Sequence, residues 1–168
     1  MSEDSEGLGK LVFREDVNAA DAEAVRDMVV STGFFNDEEV EFAVELVEAN
    51  LAQGAKKSGY CFLFADLEGQ PAGYVCHGPI AGTQESFDLF WIVVHERCRG
   101  KGLGKLLMAR SEEIIRRMGG HRIYVETSSR QQYVPTREFY LKMGYRIEAV
   151  IQDFYAPGDG KVIMVKVV

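Results

Sequence analysis

Hydrophobic positions along the 168-residue chain fall into short runs separated by turn signals, and the runs change period. "LVFREDV" reads as a short strand. Asn18 then offers a side-chain oxygen to cap a helix, "AADAEAVRDMVVSTG", which stops at Gly33. Asn36 with Glu39 three residues on forms a capping-box pattern. The helix it opens carries Val40, Ala43, Val44, Val47 and Leu51 on one stripe, the spacing of a buried helical face, and "GAKKSG" ends it.

The pattern then shortens to that of strands. "YCFLFAD" and "AGYVCHG" form a hairpin around the turn "LEGQP", and "PIAGTQES" is a loop. "FDLFWIVV" is apolar on both faces, as in a sheet covered on both sides. A helix from about Gly102 to Met118 buries Leu103, Leu107, Ile114 and Met118 and stops at Gly119-Gly120. "HRIYVETSS" is the next strand, and strand, helix and strand make a βαβ unit with parallel, adjacent strands. A short helix follows, with Pro135 in its first turn, Glu138 and Lys142 paired at i,i+4, and Gly144 at its end. Phe139 and Met143 are its expected buried face, with Tyr140 on a different side. "YRIEAVIQDFY" and "KVIMVKVV" close the chain around "APGDG". The order β-α-α-β-β-β-α-β-α-β-β predicts an α/β fold with a mixed sheet. It forms a single domain over 1–168, with 1–8 as a flexible tail.

Composition narrows the class. At 46% hydrophobic and 27% charged residues, the composition is that of an ordinary soluble globular protein. No apolar run approaches the roughly 20 residues of a membrane span. The acidic start "MSEDSEGLGK" lacks the apolar core of a signal peptide, so the expected compartment is the cytoplasm and no membrane partner is expected. Cys61 and Cys76 sit in apolar runs as structural thiols, while Cys98 lies in a basic loop. The three histidines, His77, His95 and His121, are scattered, and no metal site is expected. The net charge of −7 is uneven: residues 1–50 carry −11 and the remainder +4. That split argues against nucleic acid over the whole surface. It fits an acidic half that attracts a cationic partner and a basic half that holds an anion.

The basic half contains "RCRGKGLGKLL", Arg97 to Leu107, at the turn from a strand into a helix. Glycine lets a ligand approach the backbone closely, and a helix N-terminus presents unpaired N–H groups with a partial positive charge. Together with Arg97, Arg99, Lys101 and Lys105 they form a cradle for an anion such as a pyrophosphate. A P-loop needs glycine at 99 and a hydroxyl at 106, where Arg99 and Leu106 stand. A dinucleotide fingerprint needs a third glycine where Leu107 stands.

"RGKGLG" resembles the Arg/Gln-x-x-Gly-x-Gly/Ala signature of the GNAT acetyltransferase superfamily, with Arg99, Gly102 and Gly104 in the defining places. "REFYLKMGY" resembles its second signature, a Phe-Tyr pair followed by Gly-aromatic. Spacing and element order are also similar, so the resemblance covers nearly the whole chain. It implies a mostly antiparallel sheet of about seven strands with helices on both faces, and an N-acetyltransferase using acetyl-CoA. Arg99, Gly100, Lys101, Gly102, Leu103, Gly104 and Lys105 would hold the pyrophosphate through backbone N–H groups. Ile92, Val93 and Val94 would bind the pantetheine arm like an added strand, and the Val93 N–H could polarise the thioester oxygen.

The resemblance also implies Tyr140 as the acid for the leaving thiolate. Three candidates for taking the proton stay open: Asp88, at the place of the family's Glu; Glu126, inside an apolar strand where a carboxylate expects a partner; and a relay through ordered water. A common Asn of the second signature is Tyr133 here, and Ser128 and Ser129 are polar substitutes. The resemblance further implies that the acceptor would be chosen by "TGFFND", "CHGPIAGTQ" and "DFYAPGDG". Their aromatic residues, with Phe34, Phe35, His77 and Tyr155 foremost and Tyr133 beside them, suit a cationic amine. A small-molecule amine is the expected acceptor, with a protein amino terminus or lysine second. A coenzyme A-binding module without turnover is the alternative of another class. A homodimer stays open.

Overall fold

Local signals set most element boundaries in the computed structural model, which describes residues 9–168; the tail expected over 1–8 lies outside the described residues. The elements are β1 (Leu11–Arg14), α1 (Asp21–Ser31), α2 (Asp37–Ser58), β2 (Cys61–Leu67), β3 (Gln70–Pro79), β4 (Ser86–Val94), α3 (Leu103–Arg117), β5 (Arg122–Ser128), α4 (Val134–Lys142), β6 (Arg146–Ala156) and β7 (Asp159–Val167). The strand order is β1-β2-β3-β4-β5-β7-β6. β4 and β5 run parallel, as the βαβ pattern requires. β1–β2, β2–β3, β5–β7 and β6–β7 are antiparallel. The expected α/β order and mostly antiparallel seven-stranded sheet are the ones found.

The capping box at α2 is complete: the Glu39 N–H donates to Asn36 Oδ1, and the Asn36 N–H donates to Glu39 Oε2, both at 2.9 Å. The cap expected of Asn18 is not made. Its Oδ1 accepts from Ala20 N at 3.0 Å, and its own N–H donates to Asp21 Oδ2 at 2.8 Å, so Asn18 builds the turn ahead of α1. The β2–β3 turn is two residues long, because Leu67 pairs with Gln70. Glu68 and Gly69 there have φ of 50° and 77°, as a type I′ turn demands.

The chain divides into two compact units, with boundaries inside β4 and α3. The unit of residues up to Gly78 with Trp91–Ser111 packs α1 and α2 over one sheet face. Val25, Met28 and Val29 of α1 and Val40, Ala43, Val44, Leu46 and Val47 of α2 meet Phe62, Phe64, Tyr74, Cys76 and Val93. Each fully buried side chain of this size contributes about 1.5–3 kcal/mol. Leu51, expected on the stripe, is 41% exposed, and Leu46 takes the buried place. Cys61, expected to be buried, is only half-buried. The opposite face receives α3: a Cβ on Gly73 would lie 2.9 Å from the Leu107 side chain and 3.0 Å from the Val93 carbonyl oxygen, so glycine suits that close approach. Arg14 binds Asp21 in two-pronged fashion at 2.7 and 2.8 Å and Asp66 at 2.7 Å, joining β1, α1 and β2.

In the second unit, Pro79–Phe90 with Glu112–Val168, alternation decides which face is core. Ile123, Val125 and Thr127 of β5 are buried with Val162 and Met164 of β7, while Tyr124 and Glu126 point the other way. Ile114 and Ile115 are buried, but Met118, expected beside them, is 47% exposed past the end of α3. Lys166 Nζ donates to Glu112 Oε2 at 2.8 Å and to the Met143 carbonyl at 2.7 Å, tying β7 to α3 and to the end of α4. β6, at the sheet edge, is exposed along nearly its whole length.

Candidate active site

The glycine turn starts from a fixed base. β4 runs into a single 3₁₀ turn, Glu96–Cys98, capped by His95, whose Nδ1 accepts the Arg97 N–H at 3.1 Å. Cys98, expected in a basic loop, is buried and anchors the turn. The backbone then crosses into the left-handed region at Gly100 (φ 76°) and Gly102 (φ 78°), where a Cβ would meet no atom within 4 Å. The first bond of α3 runs from Leu106 N to the Gly102 carbonyl at 3.3 Å, so the N–H groups of Leu103, Gly104 and Lys105 have no partner within the helix. The Leu103 side chain is buried and fixes the helix start. Arg99, Lys101 and Lys105 are exposed, and Arg99 pairs with Glu96 at 3.2 Å. Bare backbone, unspent amides, open space and exposed cations fit a diphosphate. In the strand just before, Val93 is buried in the α1–α2 core, while Ile92 and Val94 are half-buried.

The second unit gathers a polar group on the non-core face of its strands. β4 pairs with β5 from Ser86↔Arg122 to Asp88↔Tyr124, which sets Asp88 on the face of Tyr124, Glu126 and Ser128. β7 brings Lys161 opposite Ser128, and Lys161 Nζ lies 2.9 Å from Glu126 Oε2. Burial pushes the half-buried Asp88 carboxyl up from the usual range. Glu126 adds to that shift and Lys161 opposes it. Ser128 donates a short hydrogen bond to Asp159, which also pairs with Arg130 at 3.3 Å. Arg137 Nη1 donates to the Ser128 carbonyl at 2.6 Å and holds the end of β5. Among the described residues, Asp88 is therefore the carboxylate of this group without an ion-pair partner of its own.

Tyr155, about half exposed, belongs to the same group: burial pushes its phenol up, with further contributions from Glu126, Asp159 and Tyr133. The cation over the aromatic pair at the end of β6 is the chain's own. Lys161 Nζ sits 3.9 Å from the Phe154 centroid and 5.9 Å from that of Tyr155. On α4, Tyr140 is the buried residue, while Phe139 and Met143, expected to be its buried face, are only half-buried. The Tyr140 ring lies 5.5 Å from that of Tyr145, and burial pushes its phenol well up.

Asp88, Glu126, Ser128, Tyr133 and Tyr155 thus come together in one unit. Phe34, Phe35 and His77 belong to the other unit. Phe34 meets Phe35 edge-on at 5.6 Å, and Phe35 meets Trp91 at 5.0 Å. His77 is 1% exposed, and burial pulls its imidazole down to about 4. Sequence reasoning missed Lys161 and Asp159. Their places depend on the β5–β7 register; Asp159 is the acid of "APGDG" and Lys161 directly follows it, but nothing in that stretch marks either as facing Ser128 and Glu126. Among the described residues, no group of three His, Cys, Asp or Glu side chains is placed to hold a metal, and no helix is long and apolar enough to cross a membrane.

Comparison with known proteins bears on this geometry. The model of the acetyltransferase (GNAT) family matches residues 23–145. An uncharacterized N-acetyltransferase of Methanocaldococcus jannaschii is 28% identical over 106 residues, which cover 63% of this chain and 65% of that relative's length. A solved GNAT-family structure from Desulfovibrio desulfuricans is 42% identical, with a TM-score of 0.92 over 94% of this chain and 99% of its own. An aminoglycoside 6'-N-acetyltransferase complexed with coenzyme A shares the fold at 19% identity, with a TM-score of 0.73 over 93% of this chain and 96% of its own.

Proposed function

The chain belongs to the acetyltransferase (GNAT) family, and from that premise we propose that it moves an acetyl group from acetyl-CoA to a primary amine, by direct attack in a ternary complex. The observation that carries this reading is the bare-backbone turn Gly100–Gly102, open to space and leading into the unspent amides of α3. Acetyl-CoA supplies the activated acetyl thioester. The N–H groups from Gly100 to Lys105 hold its diphosphate, with Arg99, Lys101 and Lys105 around them. The β4 backbone at Ile92–Val94 hydrogen-bonds its pantetheine arm, and the Val93 N–H polarises the thioester oxygen.

Asp88 takes the proton of the incoming ammonium. A Lys-like amine titrates near about 10.4, so a base must act before or during attack. A carboxylate raised by burial is closer to that value than an ordinary one. Glu126 is committed to Lys161 and tunes Asp88 electrostatically. Tyr140 keeps its proton at neutral pH, because burial opposes the phenolate, and gives it to the departing sulfur. The acceptor is a cationic small-molecule amine, since Asp88 brings to the aromatic group a carboxylate that, among the described residues, has no ion pair of its own and feels Lys161 only at longer range. A protein amino group is the second reading, favoured by Phe154 and Tyr155 standing half exposed on the β6–β7 hairpin.

Thiol release from acetyl-CoA across a panel of diamines, amino acids and aminoglycosides tests the reading. Turnover with at least one cationic amine is the expected result. Acetylation of protein amines with none of the panel would replace the first acceptor class by the second. Coenzyme A binding without any turnover would make the chain a binding module.

A further inference from the structure

α1 is fastened to the start of the glycine turn by two side chains that the proposed chemistry does not use. Asp27 Oδ2 lies 3.2 Å from His95 Nε2, and Ser31 Oγ accepts the Glu96 N–H at 3.1 Å. The His95 ring is used on both sides. Its Nδ1 accepts the Arg97 N–H, so the lone pair is there and the ring proton sits on Nε2, directed at Asp27. The ring side chain is 13% exposed, whereas Asp27 is 67% exposed. Two further bonds reach β3: the His95 N–H donates to the Ala72 carbonyl at 2.8 Å, and Arg97 Nη2 donates to the Pro71 carbonyl at 3.2 Å.

These bonds end abruptly. Residues 95–97 are held from α1 and β3, Cys98 and Arg99 are held by the 3₁₀ turn itself, and Gly100 follows with nothing within 4 Å of where a Cβ would sit. A left-handed glycine has no side chain to fix its direction, so the aim of its amides depends on the residue before it. We infer that Asp27 and His95 are positioning residues for the diphosphate-binding turn: Asp27 fixes the tautomer and tilt of His95, and the ring fixes the Arg97 amide from which the turn departs. This inference rests on the proposed acetyl-CoA reading. Neither side chain touches the coenzyme or the acceptor in it.

The test uses the full chain with four substitutions: Asp27→Ala, Asp27→Asn, His95→Ala and His95→Asn. Coenzyme A binding is measured by calorimetry, and turnover is measured with two donors, acetyl-CoA and acetyl-pantetheine, the latter lacking the diphosphate. Asp27→Ala is expected to weaken coenzyme A binding about threefold to tenfold and to raise the KM for acetyl-CoA by a similar factor. It should leave kcat within about twofold and the KM for acetyl-pantetheine unchanged. Asp27→Asn, which can still accept from Nε2–H, should recover most of the loss. His95→Asn, able to cap the Arg97 amide with its short oxygen, should match Asp27→Ala, and His95→Ala should be worse.

Equal losses with both donors, or a lowered melting temperature with unchanged coenzyme A affinity, would reduce the pair to a structural contact and overturn the inference alone. If the unsubstituted chain binds no coenzyme A, the acetyl-CoA reading falls and this inference with it.

Discussion

Burial does different work at Tyr140 and Asp88. A phenol wrapped in protein resists ionising, so in the proposed reaction Tyr140 would arrive with its proton. A carboxylate in the same situation becomes a stronger base, and Asp88 gains proton affinity. Tyr140→Phe keeps the ring and removes only the proton. It should lower kcat by about 100-fold or more, in the range of general-acid contributions, while calorimetry finds coenzyme A affinity within twofold. Lys161 tests the other group. Its ammonium lowers the Asp88 pKa and also neutralises Glu126, which raises it. Lys161→Met removes both restraints, and both changes push Asp88 upward. A base works only when deprotonated, so the acid limb of the kcat/KM profile should move to higher pH in Lys161→Met. An unmoved limb would mean that Asp88 is not the base.

Among the elements, the three joined by Arg14 depend on one buried contact. Asp21 is 1% exposed, and its carboxylate is held by the Arg14 guanidinium, which is driven well above its ordinary pKa chiefly by that hydrogen bond. Arg14→Met strands a charge inside the protein and should cost about 3–5 kcal/mol in urea denaturation. How much could be read ahead of the structure follows from the range of each interaction. The Asn36–Glu39 box closes within three residues and was legible. Asn18 was misread because Asp21 competes for its backbone. Leu51 and Met118 have the right period but lie beyond the partner surface, so helical spacing marked them as core. Which residue of α4 is buried was not legible: at about 3.6 residues per turn, positions 139, 140 and 143 lie close on the helix surface and only packing sorts them, burying Tyr140. Lys161 was out of reach: its partner Glu126 comes from another strand and depends on a register that nothing in either strand declares.

At the scale of the whole molecule, charge is the property that matters for an encounter. The chain carries −7, so cationic acceptors approach a surface that attracts them on average. In the proposed reaction coenzyme A, an anion, would approach against that field and rely on the local cations of the glycine turn. Salt screens both, with a Debye length near about 10 Å at 0.1 M. The KM of a diamine should therefore rise between about 0.02 and 0.5 M salt, more steeply than that of a monoamine of the same size. Initial rates at fixed saturating acetyl-CoA check this, and a flat response in both would assign acceptor binding to short-range contacts alone.

One consequence of the packing around β4 is optical. The chain has a single tryptophan, Trp91, set immediately before Ile92–Val94, with Phe35 edge-on at 5.0 Å. Its emission comes from one indole and one environment, free of the averaging that several tryptophans impose. The half-buried ring senses both the aromatic loop after α1 and the strand proposed to bind the pantetheine arm. Phe35→Ala should shift the emission to longer wavelength as water reaches the indole. Adding coenzyme A to the unlabelled protein should change its intensity saturably, so the molecule carries its own fluorophore for titration and stopped-flow work.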